Sequence, residues 1–283
     1  MSDIEQGEGQ VTTQDGLVLA TRHWVPSDPR AALMFVHGLG EHSGRYDHVA
    51  RRFATRGFAC HALDIRGHGR SPGLRVHVDR FVEFVGDVAA IRAQLHEAHP
   101  RLPLVLVGHS QGGLIALHSA LAAPEGLTGV VVSSPFLGIH PSSRPSALVA
   151  AAARVLSRQA PRLRLDNGVD PAYLSHDAEV VKAYVGDPLV STRVSARWFT
   201  EILAAHEAAR AQAPRLAVPA LVMQSGSDRL VDPAATRDWA AAAPAGLVEY
   251  VEWEGLYHEM FNEPEQETVF AHMERWLDRR LAG

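Results

Sequence analysis

Leu104-Val-Leu-Val-Gly-His-Ser-Gln-Gly-Gly113 decides how this chain is read. Four apolar residues, 104–107, run into Gly-x-Ser-x-Gly, and a stretch of small and apolar residues, 112–123, follows at helical spacing. A buried strand that turns sharply into a helix through that motif is a nucleophile elbow, which lifts a serine above the end of a sheet. Gly108 and Gly112 let strand and helix crowd together there, because a Cβ would collide with the neighbouring backbone. Ser110 is therefore the candidate nucleophile.

A serine hydroxyl is a weak nucleophile at neutral pH and needs a base and a group that orients the base. In elbow proteins the chain order is Ser, then Asp or Glu, then His. Ala220-Leu-Val-Met-Gln-Ser-Gly-Ser-Asp228 supplies an apolar strand with Asp228 just beyond its carboxyl end. Val248-Glu-Tyr-Val-Glu-Trp253 supplies another, leading to His258. Asp232 rivals Asp228, but it stands before Pro233 and reads as the N-cap of the next helix. The tetrahedral intermediate needs backbone donors. One is expected from the N–H of Gln111, after the nucleophile, and the second from Leu39, in His37-Gly-Leu-Gly40 after the strand at 31–36. Gly38-x-Gly40 does not extend to a dinucleotide fingerprint, since the third glycine arrives one position late.

Runs of strand and helix alternate along most of the 283 residues, which predicts an α/β fold with a mostly parallel sheet between helices. A hairpin is expected over 11–24. Strands are expected at 31–36, 58–63, 104–107, 127–132, from 220 and at 248–253, and helices at 45–56, 79–99, 112–123, 233–243 and 264–281. The alternation breaks at Pro135. Residues 135–214 show no strand run and are read as a helical cap inserted into a core of 1–134 and 215–283. Within the cap, 147–163 carries Leu148, Val149, Ala152, Val155 and Leu156 at helical spacing beside Arg154, Arg158, Arg162 and Arg164. Two readings stand: a helix packed by its apolar face, with a solvated basic side, or an interfacial helix resting on anionic lipid.

Other features bound the answer. A net charge of −5 gives no basic surface for nucleic acid, and none is expected as a partner. The single cysteine, Cys60, excludes an intramolecular disulfide and reads as a buried apolar residue. An acidic N-terminus without an apolar run is no secretory signal, and no apolar run is long enough to span a bilayer, so a cytoplasmic location is expected, with peripheral contact at membranes. His96-Glu-Ala-His99 lacks the spacing of a metal-binding helix and reads as a solvated helix end. Asp64-Ile-Arg-Gly-His-Gly-Arg-Ser71 reads as a tight structural loop. No metal and no organic cofactor is expected, because nucleophile, base and oxyanion donors are all in the chain.

His37-Gly-Leu-Gly-Glu-His-Ser-Gly-Arg-Tyr46, Asp64 to Ser71, the elbow, Gly226-Ser-Asp228 and Tyr257-His258 together resemble the monoacylglycerol lipase and lysophospholipase family of α/β-hydrolases. Asp187-Pro188, with Tyr184 before it, resembles that family's cap. The resemblance implies an α/β-hydrolase fold and a Ser110–Asp228–His258 triad with oxyanion amides at Leu39 and Gln111. It also implies Glu41, Arg45 and Tyr184 at the end of the site that receives a glycerol-like head group. Gln111 stands where the family often has Met. The implied activity is hydrolysis of monoacylglycerols, with lysophospholipids or short- and medium-chain carboxylic esters as the alternative. Leu148, Val149, Val155 and Leu156 are then expected to line an acyl tunnel, and the arginine side of the same helix to meet membrane or micelle surfaces. A catalytically silent protein of the same fold is the non-enzyme alternative.

Overall fold

The computed structural model describes residues 3–282. The chain opens on the antiparallel hairpin β1 (Ile4–Thr12) and β2 (Val18–Pro26). Its turn closes where Thr13 N–H donates to the Leu17 carbonyl at 2.8 Å. Then β3 (Ala31–Val36), α1 (Asp47–Ala54), β4 (Phe58–Leu63), α2 (Val82–Ala98), β5 (Leu104–His109), α3 (Gln111–Ala122) and β6 (Leu127–Ser133) alternate. An insert follows, made of α4 (Ala147–Gln159), β7 (Arg164–Asp166), α5 (Ala178–Gly186), β8 (Arg193–Ser195) and α6 (Ala196–Gln212). The chain returns to the sheet with β9 (Ala220–Ser225), α7 (Pro233–Ala242), β10 (Val248–Trp253) and α8 (Gln266–Leu281).

Eight strands form one sheet in the order β1-β2-β4-β3-β5-β6-β9-β10, and every pairing from β4 to β10 is parallel. A parallel sheet is covered on both faces, so its strands are apolar throughout rather than alternating with polar residues. β3 illustrates this. All six residues are buried; Ala32, Met34 and Val36 pack with α2, α3 and α7, while Ala31, Leu33 and Phe35 pack with α1 and α8. This is the α/β-hydrolase fold. Trp24, Trp276 and Cys60 are buried in the core, and the carboxyl ends of the central strands share one edge, where sheets of this kind bind ligands.

The insert corrects three expectations. It does contain strands: β7 and β8 form a small antiparallel pair, too short and too charged for an apolar run to reveal. Its first helix stops at Gln159, two residues before Pro161, rather than running to 163. And α4 does not turn its large apolar residues inward. Its buried residues are Ala153 and Ser157, and Ser157 Oγ meets Thr200 Oγ1 of α6 at 2.7 Å. The small side chains let the two helices approach closely, so Leu148 is left 80% exposed and Val155 60% exposed.

Candidate active site

Ser110 sits between β5 and α3 with φ at 53°, a left-handed backbone that costs a non-glycine residue energy and persists only where the surroundings enforce it. The enforcement is visible. Ser110 N–H donates to the Ser133 carbonyl of β6 at 2.9 Å, and its own carbonyl accepts from Phe136 N–H at 2.9 Å. The flanking glycines are obligatory: a Cβ on Gly108 would lie 2.4 Å from the Gly112 carbonyl oxygen, and one on Gly112 would lie 2.0 Å from that of Val36. Gln111 opens α3, so its N–H has no intrahelical acceptor and is available to a ligand, at the positive end of the helix.

Asp228 lies past the end of β9 and His258 past β10, as their strand contexts predicted. His258 Nδ1 donates to Asp228 Oδ2 at 2.7 Å. The other carboxylate oxygen of Asp228 accepts from Leu230 and Val231 N–H at 2.9 and 3.0 Å, which fixes its plane. Asp232 is elsewhere, capping α7 through Ala234 N–H at 3.0 Å and pairing with Arg144. Burial opposes charge on His258, but the Asp228 carboxylate and its hydrogen bond outweigh that, with Glu259 and Glu41 adding to them, and raise the imidazole above its ordinary 6.5. Asp228 moves the opposite way: burial disfavours its anion, yet His258 and the backbone donors hold it below the usual carboxylate range. Neighbouring His109 packs against His258 with the rings tilted and their centroids 4.7 Å apart, and burial, helped by His258, pushes it down to about 4. It is therefore neutral where His258 can be charged.

Ser110 and His258 line one cavity of about 290 Å³, together with Gly38, Leu39, Glu41 and Tyr184. Its wall is apolar, with Phe136, Ile139, Val194, Trp198, Phe199 and Ile202, and α4 contributes only Val149 and Ala153. The expected tunnel lining by Leu148, Val155 and Leu156 is thus replaced by α6 and by residues following β6, because α4 presents those side chains elsewhere. Arg45 lies beneath this cavity rather than on its surface. Its guanidinium binds Glu259 through both nitrogens at 2.6 and 2.7 Å, reaches Glu41 at 2.5 Å, and lies 4.9 Å from the Tyr184 ring centroid. Glu41 also accepts from Gly38 N–H at 2.5 Å and Tyr46 O–H at 2.8 Å. Burial opposes its anion, but Arg45 and the nearby histidines hold its pKa down to about 2. The loop carrying Leu39 is thereby pinned by a buried carboxylate.

Sequence reasoning passed over two acids. Glu259 follows His258 directly and is the bidentate partner of Arg45; adjacency to a candidate base was the available signal. Glu263 is fully buried and accepts from Tyr257 N–H at 2.6 Å and His176 N–H at 3.0 Å, so it clamps the His258 loop to the insert. Nothing in local spacing announces it. Further bonds tie the insert to the core, among them His42 Nε2 to Asp187 Oδ2 at 2.8 Å and Trp198 Nε1 to Gln111 Oε1 at 2.8 Å.

Comparison with known proteins follows the same outline. Residues 27–265 match the family model described as serine aminopeptidase, S33. The chain is 37% identical to a monoacylglycerol lipase of Mycolicibacterium smegmatis over 91% of its own length and 92% of the relative's. It is 34% identical to phospholipase YtpA of Bacillus subtilis, over 91% and 99%. The crystal structure of Paleococcus ferrophilus monoacylglycerol lipase is 33% identical and superposes with a TM-score of 0.81 over 98% of this chain and 99% of that one. A family model spanning most of the sequence and relatives aligned nearly end to end leave one conclusion: the chain belongs to the serine aminopeptidase S33 family of α/β-hydrolases, in the company of the monoacylglycerol lipases, and is a hydrolase.

Proposed function

We propose that this hydrolase cleaves the ester bond of single-chain lipids, monoacylglycerols foremost, releasing fatty acid and glycerol through an acyl-enzyme. The observation that carries the reading is the 2.7 Å bond from His258 Nδ1 to Asp228, with His258 and the strained Ser110 lining the same cavity. With Nδ1 committed to Asp228, Nε2 is the nitrogen left to take the Ser110 proton. Ser110 Oγ attacks the ester carbonyl; the oxyanion forms against the N–H groups of Leu39 and Gln111. His258 passes its proton to the departing glycerol oxygen, then draws one from water, whose oxygen attacks the acyl carbon; as the acyl–Oγ bond breaks, His258 returns that proton to Ser110 Oγ. Asp228 keeps the imidazole in the tautomer this requires.

The substrate class is supported by the cavity. At about 290 Å³ it lies at the small end of ligand sites, room for one acyl chain and a small head rather than three chains. Apolar walls suit the chain, and the polar floor around Glu41 and Tyr184 suits a diol, with Arg45 holding Glu41 from below. The insert, residues 135–214, acts as a cap over the core of 1–134 and 215–283. Its helix α4 exposes Leu148 and Val155 beside Arg154 and Arg158, with Arg162 exposed just past its end, an amphipathic surface fitted to a lipid aggregate. No helix among the described residues is long and apolar enough to cross a membrane. A second reading, lysophospholipid hydrolysis, is favoured by the phospholipase among the relatives.

Two measurements test the proposal. A fluorophosphonate should label Ser110 in the wild type. Mono-, di- and trioleoyl glycerol and oleoyl lysophosphatidylcholine should then be compared at matched interfacial concentration. The monoester of glycerol should turn over fastest. Equal rates on all three glycerides would remove the single-chain reading, and a lysophospholipid turned over faster than monooleoyl glycerol would favour the second.

A further inference from the structure

We infer that the Gln111 side chain is a positioning element, joining the oxyanion donor to the wall that receives the acyl chain. The inference rests on the ester-hydrolase reading above and assigns a task that this reading leaves open. Gln111 is completely buried, and Trp198, on α6, is nearly so. The indole nitrogen can only donate, so the 2.8 Å contact makes Gln111 Oε1 the acceptor and orients the amide. That orientation leaves Gln111 Nε2 buried without a partner. A buried amide half satisfied is an unfavourable way to fill space, and an apolar side chain of similar volume would avoid it. What the amide adds is one bond across two parts of the molecule. On one side is the first residue of α3, whose backbone N–H is the proposed oxyanion donor. On the other is Trp198, which lines the cavity with Phe199 and Ile202.

The consequence is mechanical. The elbow is strained at Ser110, and the amide after it must meet an oxyanion within a narrow range of distance. A bond from that residue's own side chain to α6 adds an attachment beyond those of the strand and the helix. It also places cavity wall and oxyanion donor in one unit, so a chain seated against α6 is registered to the donor. Loss of the bond leaves the donor in place but looser.

The experiment compares Gln111→Met, Trp198→Phe and the double variant, after fluorophosphonate labelling of wild-type Ser110. The readouts are kcat and KM on a short-chain nitrophenyl ester, and the melting temperature. Each single variant should lose about tenfold in kcat, less than deletion of a donor would remove, with KM little changed. Trp198→Phe strands both polar atoms of the amide and should melt lowest; the double variant, with no amide left to satisfy, should recover melting temperature. Its kcat should stay down and be no worse than that of the lower single. If kcat recovers together with melting temperature, the bond is merely structural and the inference fails. Retained kcat in the singles, or losses that multiply in the double, overturn it as well. Absence of labelling in the wild type would instead remove the hydrolytic reading, and this inference with it.

Discussion

Ser110, Asp228 and His258 are each less than a tenth exposed, on loops fastened to β5, β9 and β10, whereas Leu148 on α4 is 80% exposed and Val155 60%. The two regions face the same cavity but are held by different means. The sheet edge is over-determined: Glu41, Asp228 and Glu263 each accept at least three bonds, glycines admit contacts no other residue could, and the backbone is strained at Ser110 and Ser134. Helix α4 leans on α6 through Ala153 and Ser157 and leaves Leu148, Val149 and Val155 more than half exposed. The groups proposed to meet a transition state, within a fraction of an ångström, sit on the rigid part. The part proposed to meet lipid is built from few contacts, as segments that open tend to be. Substitutions at the edge should therefore act on chemistry, and substitutions on α4 on delivery.

The largest effects test the edge. Ser110→Ala should lower kcat by a factor on the order of 10⁶, by analogy with other triads. Asp228→Asn preserves shape but favours the wrong His258 tautomer and should cost about 10⁴. Asp232→Asn keeps a side chain that caps α7 about equally well and loses only an ion pair to the half-exposed Arg144, worth at most about 1 kcal/mol; its kcat should be close to wild type. Steady-state kinetics on one soluble ester ranks all three, and a larger loss at Asp232 than at Asp228 would undo the assignment of the acid.

A smaller effect separates positioning from charge. In the proposed reaction His258 acts as a base only when neutral, and its pKa is raised above 6.5. As pH falls through that raised value the protonated fraction grows, so kcat/KM should decline on the acid side at a higher pH than an unperturbed histidine would give. Glu259 is one of the charges that raise it. Glu259→Gln removes that charge and releases Arg45, and both changes disfavour imidazolium. The acid limb should move to lower pH, with relative activity at mildly acidic pH rising a few-fold even as the plateau falls. A limb that stays in place, or moves upward, would exclude Glu259 from the electrostatics of the base.

The same contrast explains what could be read from the sequence. β3 and β4 occupy the spans their composition predicted, since a strand covered on both faces must be an apolar run and the run ends where cover ends; β10, a half-buried edge strand, also holds its expected span. Strand-end context also singled out Asp228 over Asp232, and the structure sets His258 against the former. Burial on α4 was legible only as a face, and the wrong one. Periodicity shows that large apolar residues share a side; it does not show whether a neighbour accepts that side or a row of small residues instead. The pairings of Glu259 with Arg45, Glu263 with His176 and Gln111 with Trp198 join positions far apart in the chain, beyond the reach of any local pattern. β7 and β8, at three residues each, fall below the length at which composition speaks.

The smallest effect on chemistry should come from α4, and there the comparison is sharpest. Leu148, Val155, Arg154, Arg158 and Arg162 are all exposed, so replacing them removes no core contact, and stability should stay within about 0.5 kcal/mol per substitution. Leu148→Ser with Val155→Ser, and separately Arg154, Arg158 and Arg162→Gln, should leave kcat on a soluble short-chain ester unchanged. Binding to vesicles rich in anionic lipid is another matter. Each arginine near such a surface contributes roughly 1 kcal/mol, so the triple variant should bind on the order of a hundredfold more weakly at low salt. The wild type should itself weaken as salt shortens the reach of the charges. The serine pair should weaken binding at any salt concentration, because its loss is apolar area rather than charge. Co-sedimentation with vesicles, set beside turnover of monooleoyl glycerol in the same vesicles, measures both. Unchanged binding in both variants would deny α4 its interfacial role and leave those exposed side chains without one. Lost turnover on the soluble ester would mean that α4 shapes the reaction site itself, and the division between rigid edge and loosely held helix would no longer hold.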